Sequence, residues 1–93
     1  MNRGPHSVRL TPPARRALSS GRIPEKVAAA IWEFLNGPLQ QHPRRVGKRL
    51  HDRLSDYYSA RRGEYRIIYR IDDEAIEVEV IRIDHRRDVY RRG

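Results

Sequence analysis

Ninety-three residues with no cysteine exclude a disulfide framework, a thiol nucleophile and a cysteine-bound zinc site. Twenty Lys and Arg against twelve Asp and Glu leave a net charge of +8, which favours a polyanionic partner such as RNA, DNA or an acidic protein. At this length, with 38% hydrophobic residues, one modest core and no second lobe are expected, so residues 1–93 read as a single domain.

Residues 6–10 alternate weakly, with Val8 and Leu10 apolar, and read as a first strand. Thr11-Pro12 opens a helix: the hydroxyl caps it, and proline lacks an N–H that the first turn would leave unused. Ser19-Ser20-Gly21 closes that helix. A second begins at Pro24, where Val27, Ile31, Phe34 and Leu35 recur at helical spacing and Trp32 and Glu33 fall at the edge of the stripe. Gly37-Pro38 ends it, giving a helix hairpin. This apolar run is broken by Glu33 and too short to span a bilayer. The first residues lack the apolar core of a signal peptide, so a soluble, cytoplasmic protein without membrane contact is expected.

Residues 40–53 are polar and basic. Tyr57 and Tyr58 then lead a strand to Arg61, Arg62-Gly63 forms a two-residue turn, and residues 64–71 form the next strand. Asp72-Asp73-Glu74 supplies turn chemistry before a last strand over residues 76–83. Pairing Ile71 with Ile76 aligns Tyr69 with Val78 and Ile67 with Val80, and sets Arg70 against Glu77. The helices should cover the Ile67/Tyr69/Val80 face. Arg66 then falls on the opposite face, across from Ile81, together with Ser59, Arg61, Ile83 and His85. Periodicity alone thus predicts a basic sheet face turned away from the helices.

Arg66, on a strand otherwise rich in Ile and Tyr, suits holding a phosphate or the charge developing on it, with a cross-strand ion pair as the structural alternative. Arg61 and Arg62 flank a turn, where either binding or simple display fits. His85 at a strand end is available for acid–base work. Tyr90 is either an apolar anchor or a phenol whose pKa is lowered by Arg86 and Arg87, and Arg86 is otherwise a phosphate contact. His6, His42 and His51 lack ligand spacing, so neither a metal nor a cofactor is expected. Ser55 and Ser59 lack a nucleophile's context, and no Gly-rich phosphate loop is present. Tyr57, Tyr58 and Tyr65 could stack on bases, although strand aromatics more often pack.

Three segments carry a resemblance: Gly47-Lys48-Arg49-Leu50; Ser59-Ala60-Arg61-Arg62-Gly63-Glu64-Tyr65-Arg66-Ile67-Ile68-Tyr69; and His85-Arg86-Arg87-Asp88-Val89-Tyr90. Together they resemble the RelE/ParE superfamily of toxins from type II toxin–antitoxin pairs, over nearly the whole chain and most closely in the RelE-like branch. The resemblance implies an α+β fold similar to small microbial RNases: an N-terminal strand and helix hairpin packed on a mainly antiparallel four-stranded sheet. It also implies metal-independent, ribosome-dependent cleavage of mRNA in the ribosomal A site, by attack of a 2′-hydroxyl on the adjacent phosphate. By motif position Arg66, His85, Arg86 and Tyr90 match catalytic residues, while Lys48, Arg49, Arg61, Arg62 and Arg87 are the expected RNA contacts. Ser59 stands where many relatives have a cation, and the Gly47–Leu50 loop lacks the glutamate base of YoeB-like toxins, which leaves His85 or Tyr90 for proton transfer. The implied partners are the ribosome with mRNA and a cognate acidic antitoxin, through which operator DNA would be met. A ParE-like gyrase inhibitor without nuclease chemistry and an inactive RNA-binding relative are the competing readings.

Overall fold

The computed structural model describes residues 5–50 and 56–87; His51, Ser55 and Tyr90, singled out above, lie outside the described residues. The elements run β1 (Ser7–Leu10), α1 (Pro12–Ser19), α2 (Glu25–Leu35), α3 (Pro38–Gln41), β2 (Lys48–Arg49), β3 (Tyr57–Arg62), β4 (Tyr65–Asp72) and β5 (Glu77–His85). One sheet has the order β1-β5-β4-β3-β2, with β1 parallel to β5 and the other pairings antiparallel. The α+β class is as expected, but the sheet has five strands rather than four because the basic loop contributes β2. No helix among the described residues is long and apolar enough to cross a membrane.

Local chemistry explains the helices. Thr11 caps α1, its Oγ1 accepting the Ala14 N–H at 3.3 Å. In α2 the helical stripe buries Ile31, Phe34 and Leu35 and leaves Trp32 exposed. Asn36 ends α2, after which Pro38 does more than stop a helix. It opens the short α3, a first-turn position suited to its fixed φ, and so buries Leu39. These side chains meet Ile67, Tyr69, Val78 and Val80, all fully buried, so the helices cover the predicted face.

The pairing of the strands departs from expectation in three ways. The β3–β4 turn is two residues long as predicted, but consists of Gly63-Glu64, closed by the Arg62↔Tyr65 pair. Gly63 has φ +60°, a conformation that favours glycine. Second, Ile71 pairs with Val78 and Tyr69 with Val80, two residues away from the expected register, so Arg70 meets Glu79 rather than Glu77. A shift of two keeps every side chain on its face, which is why the apolar pattern does not distinguish the two registers.

Third, Ile81 is an extra residue in β5: Tyr69 pairs with Val80 while Ile68 pairs with Arg82. This bulge inverts the alternation beyond it. Ile83, predicted to share the Arg66 face, instead pairs with Ile67 in the core, and Arg66 faces Asp84 rather than Ile81. Thr11 supports the irregularity, because its hydroxyl donates to the Ile81 carbonyl at 2.7 Å and its N–H to the Val80 carbonyl at 3.0 Å. One threonine therefore caps α1 and satisfies the carbonyl of the bulged residue.

Candidate nucleic-acid interface

At the β2 edge of the sheet lies an open groove of about 600 Å³, lined by residues 45–50 together with Ser59, Ala60, Arg61 and Arg66. Five lining residues are cations (Arg45, Lys48, Arg49, Arg61 and Arg66) and none is a carboxylate. Arg61 pairs directly with Arg66 across β3 and β4, and Lys48 pairs with Ser59 across β2 and β3. In pleated strands such partners share a face, so Lys48, Arg61 and Arg66 stand side by side. Among the described residues no carboxylate lies within ion-pair distance of Arg45, Lys48 or Arg61. Like charges held this close attract phosphates strongly and stabilise the fold poorly.

The groove depends on how its basic wall is seated. Tyr69, fully buried, donates its hydroxyl to the Pro43 carbonyl at 2.6 Å and stacks on Tyr58 with ring centroids 5.6 Å apart. Burial holds the phenol's pKa above its ordinary value of 10.0, with the neighbouring Tyr58 adding to the shift. Gly47 rests against this hydroxyl so closely that a Cβ there would collide with it. Beyond Gly47 the chain enters β2, and the Leu50 N–H donates to the Tyr57 carbonyl at 2.8 Å.

The expected site residues do not all converge on this groove. Lys48, Arg49, Arg61 and Arg66 do. Arg62 belongs to the other face, its guanidinium 4.1 Å from the centroid of the Phe34 ring in a cation–π contact. His85 pairs with Tyr65, the pair adjacent to Arg66↔Asp84, and therefore points to the helix side of the sheet. The expectation that His85 shares the Arg66 face is corrected, and the Ile81 bulge is the cause. There His85 meets the Tyr65 ring edge-on at 5.1 Å and helps to line a separate cleft of about 430 Å³ with Arg16, Arg22, Ile23 and Ile83. Its Nδ1 accepts the Arg87 N–H at 3.1 Å.

Arg86 is exposed, with its Nε 3.4 Å from a Glu64 carboxylate oxygen and its N–H on the Glu64 carbonyl at 2.7 Å. Arg87 is exposed beside it. Tyr90 lies outside the described residues. Two groups near the groove escaped the sequence reading. Arg45 precedes Gly47 in the polar run, where its positive charge was the available signal. Asp84, set opposite Arg66 and ion-paired to Arg82 at 2.7 Å, is placed there only by the bulge.

Comparison with known proteins gives a consistent result. Residues 8–90 match the family described as ParE toxin of type II toxin-antitoxin system, parDE. Toxin RelG of Mycobacterium tuberculosis is 50% identical over 88 residues, covering 95% of this chain and 99% of that protein. Toxin RelE of the same organism is 48% identical over 87 residues, covering 94% and 88%. The crystal structure of the toxin–antitoxin complex RelBE2 from Mycobacterium tuberculosis superposes with a TM-score of 0.81 at 46% identity, over 90% of this chain and 94% of that one. The isolated Escherichia coli RelE toxin, 18% identical, shares the fold with a TM-score of 0.69 over 86% of this chain and 83% of its own.

Proposed function

The chain belongs to the RelE/ParE superfamily of type II toxin–antitoxin toxins, and from that membership we propose that it is a ribosome-dependent endoribonuclease that cleaves mRNA in the cytoplasm. The observation that carries this reading is the groove in which Lys48, Arg61 and Arg66 stand together with no carboxylate among the lining residues. A phosphodiester laid there meets several guanidiniums at once. In the reaction, the 2′-oxygen forms a bond to phosphorus as the bond from phosphorus to the 5′-oxygen breaks. The 2′-hydroxyl proton leaves to a base, the 5′-oxygen gains a proton, and a 2′,3′-cyclic phosphate remains. Arg66 and Arg61 stabilise the negative charge that builds on the phosphoryl oxygens. Arg86 and Arg87 extend the cationic surface from the end of β5, and Tyr90 takes the proton-donating or orienting role that its motif position suggests.

His85 faces the other side of the sheet, so this reading gives it no share in proton transfer at the groove. With few groups on this chain able to move protons at neutral pH, alignment of the 2′-oxygen with the scissile bond falls to the ribosome. The natural inhibitor is a cognate antitoxin, as the toxin–antitoxin complex of the Mycobacterium tuberculosis relative suggests. The net charge of +8 on this chain calls for acidic residues on that partner. Any contact with operator DNA comes through that partner. The matched family description and the absence of His85 from the Arg66 face also favour a second reading, a ParE-like inhibitor of DNA gyrase that binds without cleaving.

Primer extension on mRNA from an in vitro translation reaction separates the two. Codon-registered cuts that require both translating ribosomes and Arg66, and that disappear in Arg66→Ala, are expected. Intact mRNA in the presence of a growth-arresting toxin would overturn the nuclease in favour of gyrase.

A further inference from the structure

The basic wall of the groove is a two-residue strand at a sheet edge, held by one neighbour only. So short an edge strand has little stability of its own. Its two side chains are exposed. Something other than β2 itself must keep it seated. Pro43, Gly47 and Tyr69 are placed to do so. Pro43 is buried, and the only hydrogen bond reaching its carbonyl among those described comes from the Tyr69 hydroxyl. Gly47 lies between that hydroxyl and the Ser59 carbonyl, with no room for a side chain.

We propose that Tyr69 is a positioning residue for the cationic groove: its core-buried hydroxyl clamps the loop at Pro43 and Gly47, so that β2 sets Lys48 on the face of Arg61 and Arg66, with Arg49 following it along the groove's edge. The inference deepens the nucleic-acid reading given above and rests on it. Tyr69 touches no substrate. It is three residues along β4 from Arg66 and projects into the core, so the strand that displays Arg66 on one face anchors the opposing wall of the groove from the other. The burial-raised pKa keeps the phenol protonated, and hence a donor, throughout the physiological range.

Tyr69→Phe removes the hydroxyl and keeps the ring in the core. Binding of a single-stranded RNA oligonucleotide to the full chain is measured across salt concentrations, alongside thermal unfolding and amide hydrogen exchange. Releasing Lys48 and Arg49 should weaken binding about tenfold and lower the slope of log K against log salt by about 1.4, two contacts at about 0.7 each. The Leu50 amide should exchange at least about tenfold faster than in wild type, while amides of β4 and β5 change less. Ile83→Val, a core variant in β5 with β4 and β3 between it and β2, should leave the slope unchanged, which separates positioning from general loss of stability.

Gly47→Ala supplies a second route. It should impair binding more than Tyr69→Phe, and the double variant should recover part of that loss because the colliding oxygen is gone. An unchanged salt slope together with Leu50 exchange that tracks β4 and β5 in Tyr69→Phe would overturn the proposal. Should the wild type bind RNA without salt dependence, the nucleic-acid reading fails instead, and Leu50 exchange still decides whether Tyr69 seats the loop.

Discussion

Two regions of the sheet, the surroundings of the β4–β5 turn and the groove beside β2, both carry arginines and treat them differently. Toward the β4–β5 turn, Arg70 meets Glu79 at 3.0 Å, Arg9 lies between Glu77 and Glu79, and Arg44 binds Asp73 through both guanidinium nitrogens. Toward the β3–β4 turn and β2, Arg61 stands opposite Arg66 with Lys48 nearby, and no carboxylate lines the groove between them. Cations of the first kind hold strands and turns together. Of the second group, Lys48 and Arg61 have no carboxylate within ion-pair distance among the described residues, and so are set to meet an anion from outside. A net charge of +8 is therefore uneven in meaning, with Arg70 and Arg61 as its two extremes.

The sharpest test of that contrast sets Arg61→Ala against Arg70→Ala. Relieving the Arg61–Arg66 repulsion should leave stability unchanged or raise it by a few tenths of a kcal/mol, roughly the scale of a like-charge cross-strand pair. The same change should lower mRNA cleavage or growth arrest about 100-fold, the order expected for removing one donor to a developing oxyanion. Arg70→Ala should do the reverse, costing up to about 1 kcal/mol of stability and leaving activity intact. Chemical denaturation with a toxicity assay reads both quantities. Equal loss of activity in the two variants would erase the distinction between the two regions.

A smaller effect is expected at His85. Removing a general base at the reacting centre costs roughly 100-fold or more. Because His85 lies on the helix side of the sheet, His85→Ala should keep cleavage within about threefold of wild type, well short of that loss. A hundredfold loss with the fold intact would require His85 to reach the groove after all, and would place the chemistry beyond the end of β5.

Much of this was legible in the sequence because it rests on local chemistry. Thr11-Pro12 announces α1, the Val27-to-Leu35 stripe announces α2, and alternation along β4 identifies both the core face and Arg66 on its reverse. What escaped was set by long-range contacts. The apolar pattern is blind to a register shift of two, and nothing in the sequence near Ile81 announces a bulge whose carbonyl is satisfied by Thr11, 70 residues away. That single extra residue moved Ile83 and His85 to the helix side. Arg62 looked like its neighbour Arg61 in sequence, yet it stands on Phe34, a contact visible only once α2 is docked. β2 was missed because two residues carry no periodicity, although its cations were recognised.

The smallest effect tests the neutral end of the comparison by pH. Asp73 has its pKa held below the ordinary carboxylate value, first by the hydrogen bond from Arg44, against an opposing desolvation cost, and then by the charges of Arg44 and His6. A carboxyl depressed in the folded state favours folding above its unfolded pKa, and that contribution disappears as pH falls through the lower, folded value. Both Asp73 and Arg44 are more than half exposed, so solvent screening keeps the contribution within about 1 kcal/mol. Asp73→Asn should therefore lower stability slightly at neutral pH, and the two proteins should converge in acid as the wild-type carboxylate protonates. Arg44 would then keep a neutral hydrogen bond in place of the ion pair at position 73, the tie between the β4–β5 turn and the loop before β2 would weaken, and cleavage should stay unchanged because the groove loses no cation. A wild-type advantage that persists undiminished in acid would mean that Asp73 acts through packing of the turn rather than through charge.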